Sequence, residues 1–527
     1  MDITTRGSVL GKVLERPGGW LLLLAGASLI RLLVAASHPL FETECYYWLY
    51  SHHLSLGYFD HPPMLGLFLH FLEFWDPPSS LAVRFSSIVC HFFCSVFLYF
   101  YGRNLFGSIS VGILTGLLFN LIPIYSILAI QNQPDAPLLF FWSATLMCFE
   151  RSVTTGKGRW WVLTGLAAGG ALLSKFHAFP LAGSLVLHLL FFPPDRRFLA
   201  RPWPYLAGLL ALLCYLPNFL WNANNDWITY QFQFARLMKE GEFKILHPIG
   251  VLLSPLLLLS PWVYGFIAYL VSGGPKKVAP EAGRQSALPF WSSVPLFVFF
   301  LYVSLSDTVK IHWTAPAYIG LLPAVAAALL KWPRRRRLYF EASAFVFTLG
   351  VYLYLVFPLA FSYRTIDSLV PSFFQEEMED LLDKDWSTQN FGFQKLGRFL
   401  REEIDSNENP DFDLIASWRF DRAAIAAYYA GLPESAFVLP YGDRRGFLLW
   451  QSPRLKVGAN VLYVAREHDS QSRDEQEFEN LRNCFERIGE PIFLRIPSTG
   501  PAVRQFEILP CYGLLEECYE KTLEGDF

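Results

Sequence analysis

The residues best suited to chemistry sit between two apolar segments. The stretch "FETECYYWLYSHHLSLGYFDHPPM", Phe41 to Met64, gathers Glu42, Glu44 and Asp60 with His52, His53 and His61. The apolar run Trp20–Ala36 precedes it, and beyond Met64 the chain is mostly apolar again to about residue 360. Ionisable groups are costly inside hydrocarbon, so the stretch must lie outside it or line a wet cavity. Clustered carboxylates and imidazoles mark sites and suit proton transfer.

Each candidate has a plainer reading beside the chemical one. Glu44–Leu54 reads as a helix along the membrane surface, whose Tyr46, Tyr47, Trp48 and Tyr50 suit the headgroup layer as anchors. "YFDHPPM" then breaks that helix, because tandem prolines cannot continue one, and the turn holds Asp60 and His61 rigidly. Alone, such a pair is a turn with a solvated ring; beside Glu42 and Glu44 the functional reading is favoured. Asp135, in "QNQPDAPLLFF", opens the fourth apolar run, where a helix-start acid also satisfies the macrodipole. Lys310 and His312 in "TVKIHWTAP", and Lys175 and His177 in "LLSKFHAFP", are interfacial cations of the kind a phosphate needs. Arg84 lies just inside the second run, where it serves equally to pair helices or to hold a ligand. Arg334–Arg337 is most simply a topology anchor facing anionic lipid.

These residues need a membrane scaffold to position them. The chain has 527 residues, 53% hydrophobic and 17% charged, whereas a soluble protein carries about a quarter charged residues. The deficit falls in the first part, which predicts a polytopic membrane region over 1–362, with an outer loop at 38–79, followed by a soluble domain over 363–527. Apolar runs near 20–37, 80–101, 109–129, 134–150, 160–175, 178–193, 203–221, 248–272, 289–305, 314–330 and 339–362 give about eleven transmembrane helices. Basic residues recur in every second loop: Arg6, Lys12 and Arg16; Arg103; Arg151, Lys157 and Arg159; "PPDRRFLARPW"; "GGPKKVAPEAGR"; and "KWPRRRR". This places the N-terminus in the cytoplasm and the acidic loops and the tail on the far side. The first run lacks a small-residue cleavage site, so an uncleaved span is expected.

The tail reads as α/β, with helices at "QKLGRFLREEI" and "DRAAIAAYYAGLP" and strands at "DLIASW", "ANVLYVA" and "RQFEILPCYGL". Cys484, Cys511 and Cys518 have no metal-ligand spacing, and a disulfide between two of them would leave one over. No phosphate-binding glycine loop occurs, so no nucleotide cofactor is expected. The net charge of −3 is uninformative, and with no basic stripe no nucleic-acid partner is expected.

The chain resembles the polytopic lipid-to-acceptor glycosyltransferases of the GT-C superfamily. The nearest group is the bacterial branch related to lipid A aminoarabinose and galacturonic acid transferases and to protein O-mannosyltransferases. The resemblance is carried by "ECYYWLYSHHLSLGYFDHPPM", "QPDAPLLFFW", "GLAAGGALLSKFHAFP", "PNFLWNANNDWITYQFQFAR" and "KIHWTAPAYIGLLPA", and continues at "LIASWRFDRAAIAAYYAGLP". It implies an all-α membrane fold of the GT-C type with an α/β tail, set in a bacterial inner membrane with the tail in the periplasm. It further implies an inverting transferase that takes a sugar from a polyprenyl-phosphate donor to a lipid or glycan acceptor such as lipid A.

One departure from the family pattern matters. The family writes Asp-Glu-Ala-Tyr-Tyr-Trp where this chain has Thr43, Glu44, Cys45, Tyr46, Tyr47 and Trp48, and threonine takes no proton at neutral pH. Either Glu44, Glu42 or Asp60 takes over as base, or the chain is an inactive or altered member. We expect Glu44 as base, and Asp60 orienting the acceptor or holding a divalent metal as its counterpart does in some relatives. The expected substrate contacts are Tyr46, Tyr47, His61, Arg84, Asp135, Lys175, Lys310 and His312. Two rival readings are a lipid flippase or transporter, and a non-enzymatic protein that binds envelope partners.

Overall fold

The computed structural model describes residues 18–72, 79–237, 247–272, 283–306, 309–356, 392–405, 411–450, 452–465, 475–497 and 503–523. Arg6, Lys12, Arg16, most of "GGPKKVAPEAGR" and the expected boundary at 362 lie outside them. The chain divides into two compact units. One comprises the chain up to Ala35, His61–Phe68 and Arg84–Tyr352; the other comprises Ala36–Asp60, Leu69–Val83 and Leu353–Phe527.

The first unit is helical. Among the described residues, Gly19–Ser37, Ser80–Phe106, Trp203–Asn224 and Arg284–Val303 are long and apolar enough to cross a bilayer. Three further pairs qualify jointly but are bent: Ile109–Leu121 with Pro123–Ala129 by 71°, Phe176–Phe191 with Pro193–Ala200 by 101°, and His312–Ile319 with Leu322–Leu330 by 56°. The protein is a multi-pass membrane protein, and among the described residues four helices, or seven if each bent pair counts as one, have this length and apolarity. Hydropathy registers apolar length and not direction, so apolar runs of the sequence and straight helices are not counted alike. Prolines at Pro123 and Pro193 redirect the chain, and the helix Asp135–Thr155 carries Asp135, Glu150 and Arg151.

Helix Gly158–Leu172 packs against Trp203–Asn224 through small residues. A Cβ on Gly165 would lie 2.5 Å from the Ala207 carbonyl oxygen, and one on Gly169 would lie 2.5 Å from Cys214 Cβ. Glycines four residues apart thus let two backbones meet, as they do between apolar helices that have no hydrophobic drive to associate.

The second unit is built on a mixed sheet of β1 (Leu414–Arg419), β2 (Ala436–Asp443), β3 (Val461–Val464), β4 (Phe485–Ile488), β5 (Ile492–Pro497) and β6 (Val503–Leu514), ordered β2-β1-β3-β6-β4. β1 lies parallel to both β2 and β3, and β6 is antiparallel to β3, β4 and β5. β5 pairs with the first half of β6 and β4 with the second.

The alanine-rich helix Phe420–Ala430 connects β1 to β2 and stops at Gly431, whose φ of 68° is left-handed and costs glycine nothing. A Cβ on Gly397 would lie 2.2 Å from the Tyr429 carbonyl carbon, so only glycine lets the helix Phe393–Asp405 approach there. Cys484 and Cys518 form a disulfide and Cys511 is a buried free thiol. Residues 36–60 belong to this unit, because the helix Glu42–His52 packs its rings against the helix Phe420–Ala430 and Trp450.

Candidate active site

The first-loop carboxylates are set by the helix Glu42–His52. Its N-terminal turn holds Glu42 and Glu44, which suit the positive end of the helix dipole. Glu44 is buried, and its Oε2 accepts the Phe41 backbone N–H at 3.0 Å, satisfying a group the helix leaves open. Glu42 pairs with Arg422 at 3.1 Å, and Thr43 is exposed. The rings do not anchor the helix in a headgroup layer as expected: Tyr46, Trp48 and Tyr50 are buried. Tyr46 meets Phe420 edge-on at 4.7 Å, Trp48 meets Tyr428 at 5.1 Å, and Tyr50 stacks on Tyr58 at 3.7 Å. The tail supplies the cover that a sequence read locally assigned to lipid. Tyr47 is half-buried and packs on Tyr46 and Tyr50.

Asp60 is the centre of a polar cluster. Its Oδ1 accepts hydrogen bonds from the hydroxyls of Tyr46, at 3.3 Å, and of Tyr50, and its Oδ2 lies 3.6 Å from Arg445 Nη1. The Tyr46 hydroxyl also accepts the backbone N–H of Gly446 at 3.1 Å. Burial, and then the charge of Asp60, push Tyr46 and Tyr50 well above the ordinary phenol range, so both remain donors. The Arg445 guanidinium lies 3.9 Å over the Phe420 ring and 3.3 Å from Asp443, and its φ is +41°. A positive φ at arginine is strained, and such strain persists where surrounding contacts over-determine it, often at functional sites. Arg445 was not among the expected residues. In "YGDRRGF" nothing local distinguishes it from a surface turn, and its partner is in the first loop.

Within the membrane unit a second cluster forms. The helix Gly158–Leu172 ends, Lys175 takes an extended conformation, and a short turn follows at Phe176–Ala178. Lys175 Nζ bridges both oxygens of Asp135, at 3.0 and 2.8 Å, and both side chains are nearly inaccessible to solvent. Asp135 is the first residue of its helix, after Pro134. His312 Nε2 lies 4.0 Å from Asp135 Oδ2 and keeps 27% of its side chain exposed, which gives the cluster an opening. His61, His177 and Lys310 are near enough to influence the charge of His312 or of its neighbours, and Lys310 is exposed. The structure therefore brings Asp135, Lys175 and His312 together in this unit, and Tyr46 and Asp60 together in the other. Arg84 is buried, and its Nη1 donates to the Ala35 carbonyl at 3.0 Å at the end of the helix Gly19–Ser37. It ties two helices together.

Among the described residues no group of three His, Cys, Asp or Glu side chains could hold a divalent metal. A cation on Asp60 would also have to sit beside the Arg445 guanidinium.

Residues 60–221 match the family described as dolichyl-phosphate-mannose-protein mannosyltransferase. The chain is 23% identical over 355 residues to the lipid A galacturonosyltransferase RgtD of Rhizobium johnstonii, covering 65% of this chain and 71% of that one. In fold it is similar to ArnT from Cupriavidus metallidurans. The apo crystal structure aligns with a TM-score of 0.63 at 15% identity, over 97% of this chain and 99% of that one. The undecaprenyl phosphate-bound form gives 0.59 at 16% identity, over 94% and 98%. The resemblance to GT-C glycosyltransferases thus holds in family, sequence and fold.

Proposed function

We propose that this homologue of GT-C glycosyltransferases moves a sugar from a polyprenyl-phosphate donor to a hydroxyl of lipid A or a related envelope glycolipid, with inversion. The observation that carries the reading is the buried Lys175–Asp135 ion pair with His312 beside it, at a helix break in the membrane unit. An ion pair so deep in an apolar unit is expensive as mere structure. It makes sense as a phosphate site in which Asp135 holds Lys175 oriented until an anion arrives. The C1–phosphate bond breaks, the phosphate keeps the electron pair and is stabilised by Lys175, and the acceptor oxygen bonds to C1. The acceptor's proton passes to a first-loop carboxylate.

Geometry favours Asp60 over Glu44 as that base. Glu44 gives one oxygen to the start of its own helix, whereas Tyr46, Tyr50 and Arg445 fix the orientation of Asp60, whose Oδ2 carries the longer contact, 3.6 Å to Arg445. The basic loops support about eleven spans, a cytoplasmic N-terminus and a periplasmic tail in a bacterial inner membrane. The Cys484–Cys518 disulfide suits an oxidising compartment of that kind.

Mass spectrometry of lipid A from strains with and without the gene tests the reading. One sugar increment should vanish on deletion and fail to return with Lys175→Met. Unchanged envelope glycolipids together with lost solute uptake would instead support a transporter.

A further inference from the structure

The segment "SWRFDR" carries part of the family resemblance, yet nothing in the transfer step uses it. In the structure it spans the carboxyl end of β1 and the first turn of the helix Phe420–Ala430. β1 lies between β2 and β3, both parallel to it. The chain leaves β1 to one side for β2 and returns past it to reach β3, so the strand order reverses there. In open α/β sheets, ligands bind outside the carboxyl ends of strands at such a reversal. A small cleft of about 100 Å³ lies at this point, lined by Glu42, Ser417, Trp418, Arg419, Asp421 and Arg422.

The lining balances two acids against two arginines. Arg419 grips Asp421 through Nε at 3.2 Å and Nη2 at 2.7 Å, and its side chain is 44% exposed. Asp421 also accepts the Arg422 backbone N–H at 3.0 Å, and Glu42 pairs with Arg422. Acid–arginine pairs of this kind present fixed acceptors and forked donors with little net charge, the complement of adjacent hydroxyls. The half-buried Trp418 adds an amphipathic ring. A strongly anionic ligand would be opposed by both carboxylates.

The position of the cleft fixes its role. Glu42 and Tyr46 are neighbours one turn apart on a single helix, separated by about 6 Å of rise. Phe420, between Arg419 and Asp421, packs on Tyr46 and under Arg445, which flank Asp60. We infer that this cleft is a saccharide subsite that grips, through its hydroxyls, a sugar ring of the acceptor next to the one that reacts at Asp60. The inference rests on the transferase reading for the identity of the acceptor, but binding alone can test it.

The probe is the deacylated and dephosphorylated glucosamine disaccharide of lipid A, titrated against the purified full chain by calorimetry. Wild-type protein should bind it saturably. Arg419→Ala and Arg422→Ala should each weaken binding at least tenfold, and Arg419→Lys should recover part of the loss, with melting temperature as the folding control. In transfer assays the same variants should raise KM for the acceptor while KM for the lipid donor stays fixed. Absence of wild-type binding, or arginine variants that bind as tightly as wild type, would overturn the inference. A chain that binds the disaccharide through Arg419 yet transfers no sugar would remove the transferase reading and leave the subsite standing.

Discussion

Replacing Lys175 by methionine keeps the length of the side chain and removes its charge, and the structure predicts two separable consequences. The first is structural. Lys175 and Asp135 have side chains 5% and 2% exposed, so solvent screens neither. Removing one partner of such a pair leaves a lone buried charge, at a cost of about 3–5 kcal/mol. The second is functional. A charge-assisted hydrogen bond to the donor phosphate is worth about 1.5–3 kcal/mol, which corresponds to a roughly 10- to 150-fold loss in kcat/KM for the lipid donor.

The double variant Lys175→Met/Asp135→Asn separates the two, because it removes the orphan charge without restoring a cation. Thermal melting of purified protein should show a large drop for Lys175→Met and recovery of most of it in the double variant. Transfer kinetics at varied donor concentration should show both variants at least tenfold impaired. If the double variant regains wild-type donor use along with its stability, the pair only holds helices together and the phosphate-site reasoning fails.

The second unit supports three other expectations. Asp60→Asn should cut turnover by about a hundredfold or more, while Glu44→Gln, which keeps an acceptor for the Phe41 N–H, should cost only the charge at the helix start, about 0.3–1 kcal/mol; the reverse pattern in a kinetic comparison would move the base to Glu44. Cys484→Ser should lower stability by about 2–4 kcal/mol, since the bridge closes a loop across 34 positions, and a melting point unchanged by reductant would refute this. His53, stacked on Trp450 at 5.0 Å, is held by burial down to about 4. Its folded value lies below the ordinary imidazole value, so its contribution is intact above that value and lost as pH falls toward 4. The acid-induced fall in melting temperature should therefore be shallower in His53→Gln than in wild type, and identical profiles would exclude this histidine as a cause.

Legibility in the sequence followed range. The helix Phe420–Ala430 announces itself through its alanines and Gly431, and β1, β3 and β6 through short apolar runs, because those signals are local. Asp135, Lys175 and His312 could be singled out as charged groups at the ends of apolar runs, although only folding shows that they meet. The Asp60 cluster was half visible. The turn before the prolines marked the carboxylate, but Gly446 reaches Tyr46 across 400 residues, and no local pattern carries that pairing. The aromatic run 46–50 is ambiguous for the same reason: amphipathic rings suit a headgroup layer and a contact within the protein equally well. A hydropathy window cannot register a bend such as the 101° one between Phe176–Phe191 and Pro193–Ala200, so the path of the chain through those runs was not legible.

The central claim is best tested by reconstituting the purified chain in liposomes with a polyprenyl-phosphate sugar, isotope-labelled in the sugar, and lipid A. The account predicts that label moves to lipid A with inverted anomeric configuration, and that Asp60→Asn and Lys175→Met each abolish most of the transfer. Label that stays on the polyprenyl carrier with folded wild-type protein, across hexuronic, hexosyl and pentosyl donors, would contradict it.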